Sequence, residues 1–186
     1  MCPRTRTLMW LALAAATVAC APALTVGADA ASDLQPAAYR SYTWEMPDQF
    51  PTGDPRLDNN PFFVSEVQRQ VEAQLGKLGL MKAQSGGDLT VHFHATVRDR
   101  VNVYDVDRAA GYDQTGYATS QAVNYEEGTV LIDIADVKGK KLIWRGWMQT
   151  DLSGAVGNNE VLAKRVRDGL IKLFNKFPAG CISPVG

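Results

Sequence analysis

Two stretches of the chain alternate between apolar and polar positions. In the longer, Leu89 to Val103, the side chains of Leu89, Val91, Phe93, Ala95 and Val97 share one side, and Thr90, His92, His94, Thr96 and Arg98 the other. A period of two predicts a strand with one face in a core and one polar face. Arg40 to Met46 (RSYTWEM) does the same on a smaller scale, with Tyr42, Trp44 and Met46 together, and predicts a first strand. Thr129 to Asp136 (TVLIDIAD) and Lys141 to Met148 (KLIWRGWM) flank Lys138-Gly139-Lys140, the composition of a hairpin turn.

Two other stretches repeat at helical spacing. Val64, Val67, Val71, Leu75 and Leu78 form a stripe that begins after Asp58-Asn59-Asn60-Pro61, a cap followed by proline at the first helical position, and closes at Gly79. Leu162, Val166, Leu170, Leu173 and Phe177 form the second, from Glu160 to Phe177, and Pro178 stops it. The predicted order is β-α-β-β-β-α. The expected fold is a single α+β domain over residues 39–178, an antiparallel sheet with both helices packed on one face, where each stripe is buried. Asp105 to Tyr125 is too long for a tight turn and is expected as an excursion between strands. Aromatic loops on a rigid sheet suit recognition, so Tyr104, Tyr112, Tyr117 and Tyr125 are candidate binding residues.

The first thirty residues carry an address. Arg4 and Arg6 precede an uncharged apolar run from Leu8 to Ala19, too short for a stable membrane span and right for a secretory signal. Two cleavage sites compete. Ala16-Thr17-Val18-Ala19-Cys20 resembles a bacterial lipobox, in which the Cys20 thiol takes a diacylglycerol and becomes the acylated N-terminus; Thr17 stands where leucine is usual. Ala28-Asp29-Ala30 is an ordinary A-x-A site, with cleavage after residue 30. The favoured division is a signal peptide at 1–19, a flexible tether at 20–38 and a C-terminal tail at 179–186. Ala21, rather than aspartate, after the lipidated cysteine implies by resemblance to enteric sorting an outer-membrane destination.

Composition narrows the classes. Of 186 residues, 46% are hydrophobic and 21% charged, ordinary for one globular domain. The formal charge of −1 gives no basic patch to attract nucleic acid. Three cysteines exclude a disulfide-rich scaffold. Cys2 leaves with the signal and Cys20 would carry lipid, so Cys181 is a lone thiol with nothing in sequence to activate it.

Certain residues resemble a known family. Tyr39-x-x-Tyr42-x-Trp44, Asp88-Leu89-x-Val91-x-Phe93-His94, and Tyr125-x-Glu127-Gly128-Thr129-x-x-Ile132-Asp133 followed by Lys141-Leu142-x-Trp144-Arg145-Gly146 are similar to bacterial envelope lipoproteins known as domain of unknown function 4136. The resemblance runs from Tyr39 to Pro178. It implies a secreted, usually lipid-anchored α+β domain of Gram-negative bacteria, and it carries over no catalytic residue.

Candidate chemistry is sparse. His92 and His94, two apart on one strand, point to the same face and could supply half of a zinc or copper site, with Asp99, Glu127 or Asp133 to complete it. Spacing fixes no third ligand as a H-E-x-x-H motif would. There is no G-x-S-x-G and no phosphate-binding glycine order. Trp144 and Trp147 project to opposite faces, one into the core and the other, Trp147, available to a partner. The expected protein is therefore a non-enzymatic, lipid-anchored outer-membrane lipoprotein whose periplasm-facing domain binds an unidentified envelope component, with no cofactor beyond the lipid on Cys20. A metal-dependent protein using His92 and His94, and a soluble periplasmic small-ligand carrier, are the alternatives.

Overall fold

The computed structural model describes residues 23–45, 51–58, 60–102 and 123–178. Six strands and two α-helices are present among them: β1 (Leu24–Ala30), β2 (Ser41–Trp44), α1 (Pro61–Lys77), β3 (Met81–Lys82), β4 (Leu89–Asn102), β5 (Val123–Asp136), β6 (Lys141–Asp151) and α2 (Asn159–Phe174), with a short 3₁₀ turn at Pro36–Ala38. The strands form one sheet in the order β1-β6-β5-β4-β2-β3. Both helices lie on one face of it, so the expected α+β domain is the observed one.

Local chemistry sets both helix starts. The Asn60 side chain accepts from the Phe63 amide at 3.1 Å with Pro61 behind it, and the Asn158 side chain accepts from the Val161 amide at 3.2 Å. Gly79, at φ +77°, lets the chain leave α1 in a left-handed conformation. The β5–β6 hairpin is pinned by the Asp136 carboxylate, which accepts from the amides of Lys138 and Gly139.

The helical stripes bury against the apolar face of the sheet. Val67, Val71 and Leu75 of α1 and Leu170 and Leu173 of α2 are fully buried, with Val91, Ile132 and Ile134 beneath them. Trp144 is buried between the helices and the sheet, its ring 5.3 Å from that of Phe174 and 5.4 Å from that of Phe177. Of the two tryptophans bracketing Arg145-Gly146, Trp144 is thus the core one.

The sheet differs from the expected antiparallel one in two respects. First, β2 runs parallel to β4 and to the two-residue β3. The cause lies in the connection: the chain crosses the helical layer through α1 between β2 and β4, and a crossover returns a strand in the same direction. Second, the segment expected as tether holds a strand. All seven residues of β1 pair antiparallel with β6, from Leu24 opposite Thr150 to Ala30 opposite Trp144. Beyond it, the Lys141 ammonium pairs with Asp33 and Tyr39 donates to Asp136, tying the following residues to the hairpin. Within β6, Leu142 is exposed. A register shift at Ile134/Ala135 lets both Ile143 and Trp144 turn inward.

Candidate functional site

Beyond the shift at Ile134/Ala135, β4, β5, β6 and β1 pair without interruption, so the face away from the helices carries rows of side chains drawn from four strands. One row runs His92, Asp133, Arg145, Asp29; the next runs His94, Leu131, Trp147, Gly27. In the first row the Arg145 guanidinium donates two hydrogen bonds to the Asp133 carboxylate, at 2.7 and 2.6 Å. This bidentate pair, and the charge of Asp29 beyond it, hold the Arg145 pKa above its ordinary value. Asp133 is therefore committed to a neighbouring strand.

In the second row the Trp147 indole lies over Gly27. A Cβ built on Gly27 would come within 2.2 Å of the indole ring, so only glycine lets the ring lie across β1. Trp147, read as the partner-facing tryptophan, is on the open face and half-buried there.

A second feature lies at the end of the sheet where β4 leaves it. The loop at 51–58 docks on β4 through the Val97 amide, which donates to the Thr52 carbonyl at 2.6 Å. Within the loop Asp58 accepts from the Thr52 amide, and Asp54 accepts from the Arg56 amide and its guanidinium. Arg56 also reaches Glu126 on β5 at 2.6 Å. Asp54 is buried, and the Arg56 guanidinium beside it holds its carboxyl below the usual aspartate value. Together with Arg98 and Asp99 these residues line an open polar groove of about 400 Å³. That size suits a small ligand, but two of the groove's three carboxylates, Asp54 and Glu126, are already spent on Arg56. Between the helices' N-terminal ends and the sheet, an apolar niche of about 20 Å³ has room for roughly one water molecule.

The remaining sequence candidates fall as follows. His92 and His94 share the open face as expected. Among the described residues no group of three or more His, Cys, Asp or Glu could hold a metal ion. Of the acids considered as third ligand, Asp133 is paired with Arg145 and Glu127 with Arg100. Tyr125 is on β5 opposite Arg100, half-buried. Cys20, Tyr104, Tyr112 and Tyr117 lie outside the described residues. The Asp54–Arg56–Glu126 cluster was not anticipated; Asp54 and Arg56 are two residues apart in a turn-rich stretch, and nothing local announces that Glu126 completes them. No helix among the described residues is long and apolar enough to cross a membrane.

The fold and its site define a class: a six-stranded mixed sheet with two helices on one face and a charge-paired open face on the other. The family model for the domain of unknown function DUF4136 matches residues 26–179, and the chain belongs to that family. No curated protein matches it. Among solved structures, a PDZ domain protein from Parabacteroides distasonis shares the fold at 13% identity and a TM-score of 0.51, over 86% of this chain and 37% of that one. This chain thus spans little more than a third of that protein. A DUF4136 family protein from Bacteroides thetaiotaomicron is 9% identical with a TM-score of 0.44, over 80% of this chain and 95% of that one. The PelC dodecamer from Paraburkholderia phytofirmans is 14% identical with a TM-score of 0.41, over the same shares.

Proposed function

We propose that this DUF4136 protein is a lipoprotein of the bacterial envelope, anchored in the outer membrane through acylated Cys20, whose periplasm-facing domain is a non-enzymatic binding or accessory module. The observation that supports it is the position of β1. The strand starts at Leu24, four residues after Cys20, and pairs with β6 along its whole length. Cleavage after Ala30 would remove all of it, uncovering the underside of Trp147 and the β6 backbone. Cleavage before Cys20 leaves the sheet whole. It also leaves only Ala21, Pro22 and Ala23 as linker, about 10 Å of extended chain, so the domain is held close to the bilayer. Several acyl chains, each contributing about 0.8 kcal/mol per buried CH₂, make such an anchor firm.

The charge pairing on the open face favours a binding role over acid–base chemistry. There Asp133 and Glu127 are each paired with an arginine, and in the groove Arg56, which also reaches Glu126, makes Asp54 a weaker base than an ordinary aspartate. The test is an intact-mass measurement of the mature protein from a Gram-negative host, wild type beside Cys20→Ala. A mass beginning at Cys20 plus acyl chains, absent in the variant, is the expected result. A lipid-free chain beginning at Ala31 would overturn the proposal.

A further inference from the structure

The two edges of the sheet are finished differently. The β3 edge is protected in the usual way: it is two residues long, and its Lys82 is tied to Glu72 of α1 at 2.6 Å. The β1 edge is seven residues long, contains neither proline nor lysine, and pairs without a bulge. Among the described residues nothing pairs with its outer side. The Ala31 amide donates inward to the Ile143 carbonyl, which sets the phase of the strand. By alternation, Leu24, Val26, Ala28 and Ala30 present their N–H and C=O groups outward.

We infer that this edge is an interface for a second copy of the chain, the two β1 strands pairing antiparallel about a two-fold axis at Gly27. The sequence LTVGADA is self-complementary in that register. On the helix side Leu24 meets Ala30 and Val26 meets Ala28, so the apolar layer continues. On the open side Thr25 meets Asp29, so no like charges face each other. The outward groups form about eight hydrogen bonds. Gly27 meets Gly27, and since each Trp147 ring already lies over its own Gly27, the bare glycines leave the two indoles neighbours across the axis. A larger residue at the axis would displace both. The two Leu24 residues end up about 20 Å apart, each four residues from its Cys20, so both anchors reach one bilayer.

The inference rests on β1 being retained in the mature chain, and the experiment separates the two. The full chain carrying Thr25→Cys and Asp29→Cys in a Cys181→Ser background is exported to the oxidising periplasm, with each single variant beside it. Both substituted positions are exposed, so the fold tolerates them. In the proposed register residue 25 lies about 4.5 Å (Cα to Cα) from residue 29 of the other copy, within disulfide range. Within one strand the two are about 13 Å apart and cannot bridge. The expected result is a covalent dimer comprising most of the double variant and background levels in the singles, abolished by adding Ala28→Pro, which removes an outward amide and leaves the inner ladder intact. A mature chain beginning at Cys20 with no cross-link, or equal cross-linking in a single variant, overturns the pairing alone. A chain beginning at Ala31 overturns the lipid-anchor reading with it.

Discussion

Two glycines with nearly equal steric conflicts should respond very differently to alanine. A Cβ on Gly146 would stand 2.3 Å from the ring of Trp144 and 2.9 Å from Leu173; one on Gly27 would stand 2.2 Å from the ring of Trp147. The outcome depends on whether the ring can move. Trp144 is 1% exposed and packed against Phe174 and Phe177, so Gly146→Ala must strain the core, at about 1–3 kcal/mol. The lost freedom of the unfolded chain returns about 0.4–1 kcal/mol, leaving a net destabilisation of about 1–2 kcal/mol. Trp147 lies on the open face and can swing out. Its lost contact is offset by alanine's better strand behaviour, so Gly27→Ala should stay within about 1 kcal/mol of wild type. Urea unfolding followed by tryptophan fluorescence measures both, and at this chain length the first change lowers Tm by roughly 2–8 °C. Adding Trp144→Phe, which shortens the ring over residue 146, should recover part of the loss as a coupling energy above about 0.5 kcal/mol. Equal costs at the two glycines, or a neutral Gly146→Ala, would refute the reasoning.

Three further outcomes are expected. A chain lacking residues 1–30 loses the half-buried Leu24 and Val26 contacts and should be less stable by about 2–3 kcal/mol, read as a lower urea midpoint than a chain beginning at residue 21. Asn60→Ala removes the cap that receives the Phe63 amide and should cost about 1 kcal/mol, whereas Asn60→Asp should retain most of it. Acid should destabilise the fold through Asp54. Its folded pKa lies below the ordinary 3.8, so the unfolded chain binds more protons at acid pH; the contribution is complete above that value and lost as pH falls through the folded one. Thermal scans between pH 6 and 3 should show this decline flattened in Asp54→Asn, and an unchanged slope would show that Asp54 is not among the groups responsible.

Periodicity exposed what neighbours in sequence determine. The stripe from Val67 to Leu75 and the one from Leu162 to Leu173 mark the buried faces of α1 and α2, with Phe63 buried at the start of α1 in place of the expected Val64, and the alternation from Leu89 marks β4 to within a residue. β1 alternates too, with Leu24, Val26, Ala28 and Ala30 on the helix side, but its small residues, glycine and aspartate give it little intrinsic strand character. It is a strand because Trp147 roofs Gly27 and because β6 would otherwise be an unpaired edge. The parallel pairing of β2 with β4 also followed in principle from the helix between them, since two strands separated by a crossover and lying side by side must run the same way.

The groups on the open face were legible as residues but not as a site, because their relations are set by register. Asp133 and Arg145 are twelve residues apart, and a hairpin without the shift at Ile134/Ala135 would not set them opposite each other. That one irregularity does two jobs. It turns Ile143 and Trp144 inward together, filling the core between the helices, and it aligns Arg145 with Asp133 while putting Trp147 on the open face. The same shift therefore seals the helix side, neutralises a carboxylate on the open side, and supplies the indole that covers β1. A deletion restoring regular pairing would be felt on both faces and at the edge, although the shift itself touches a single pair of residues.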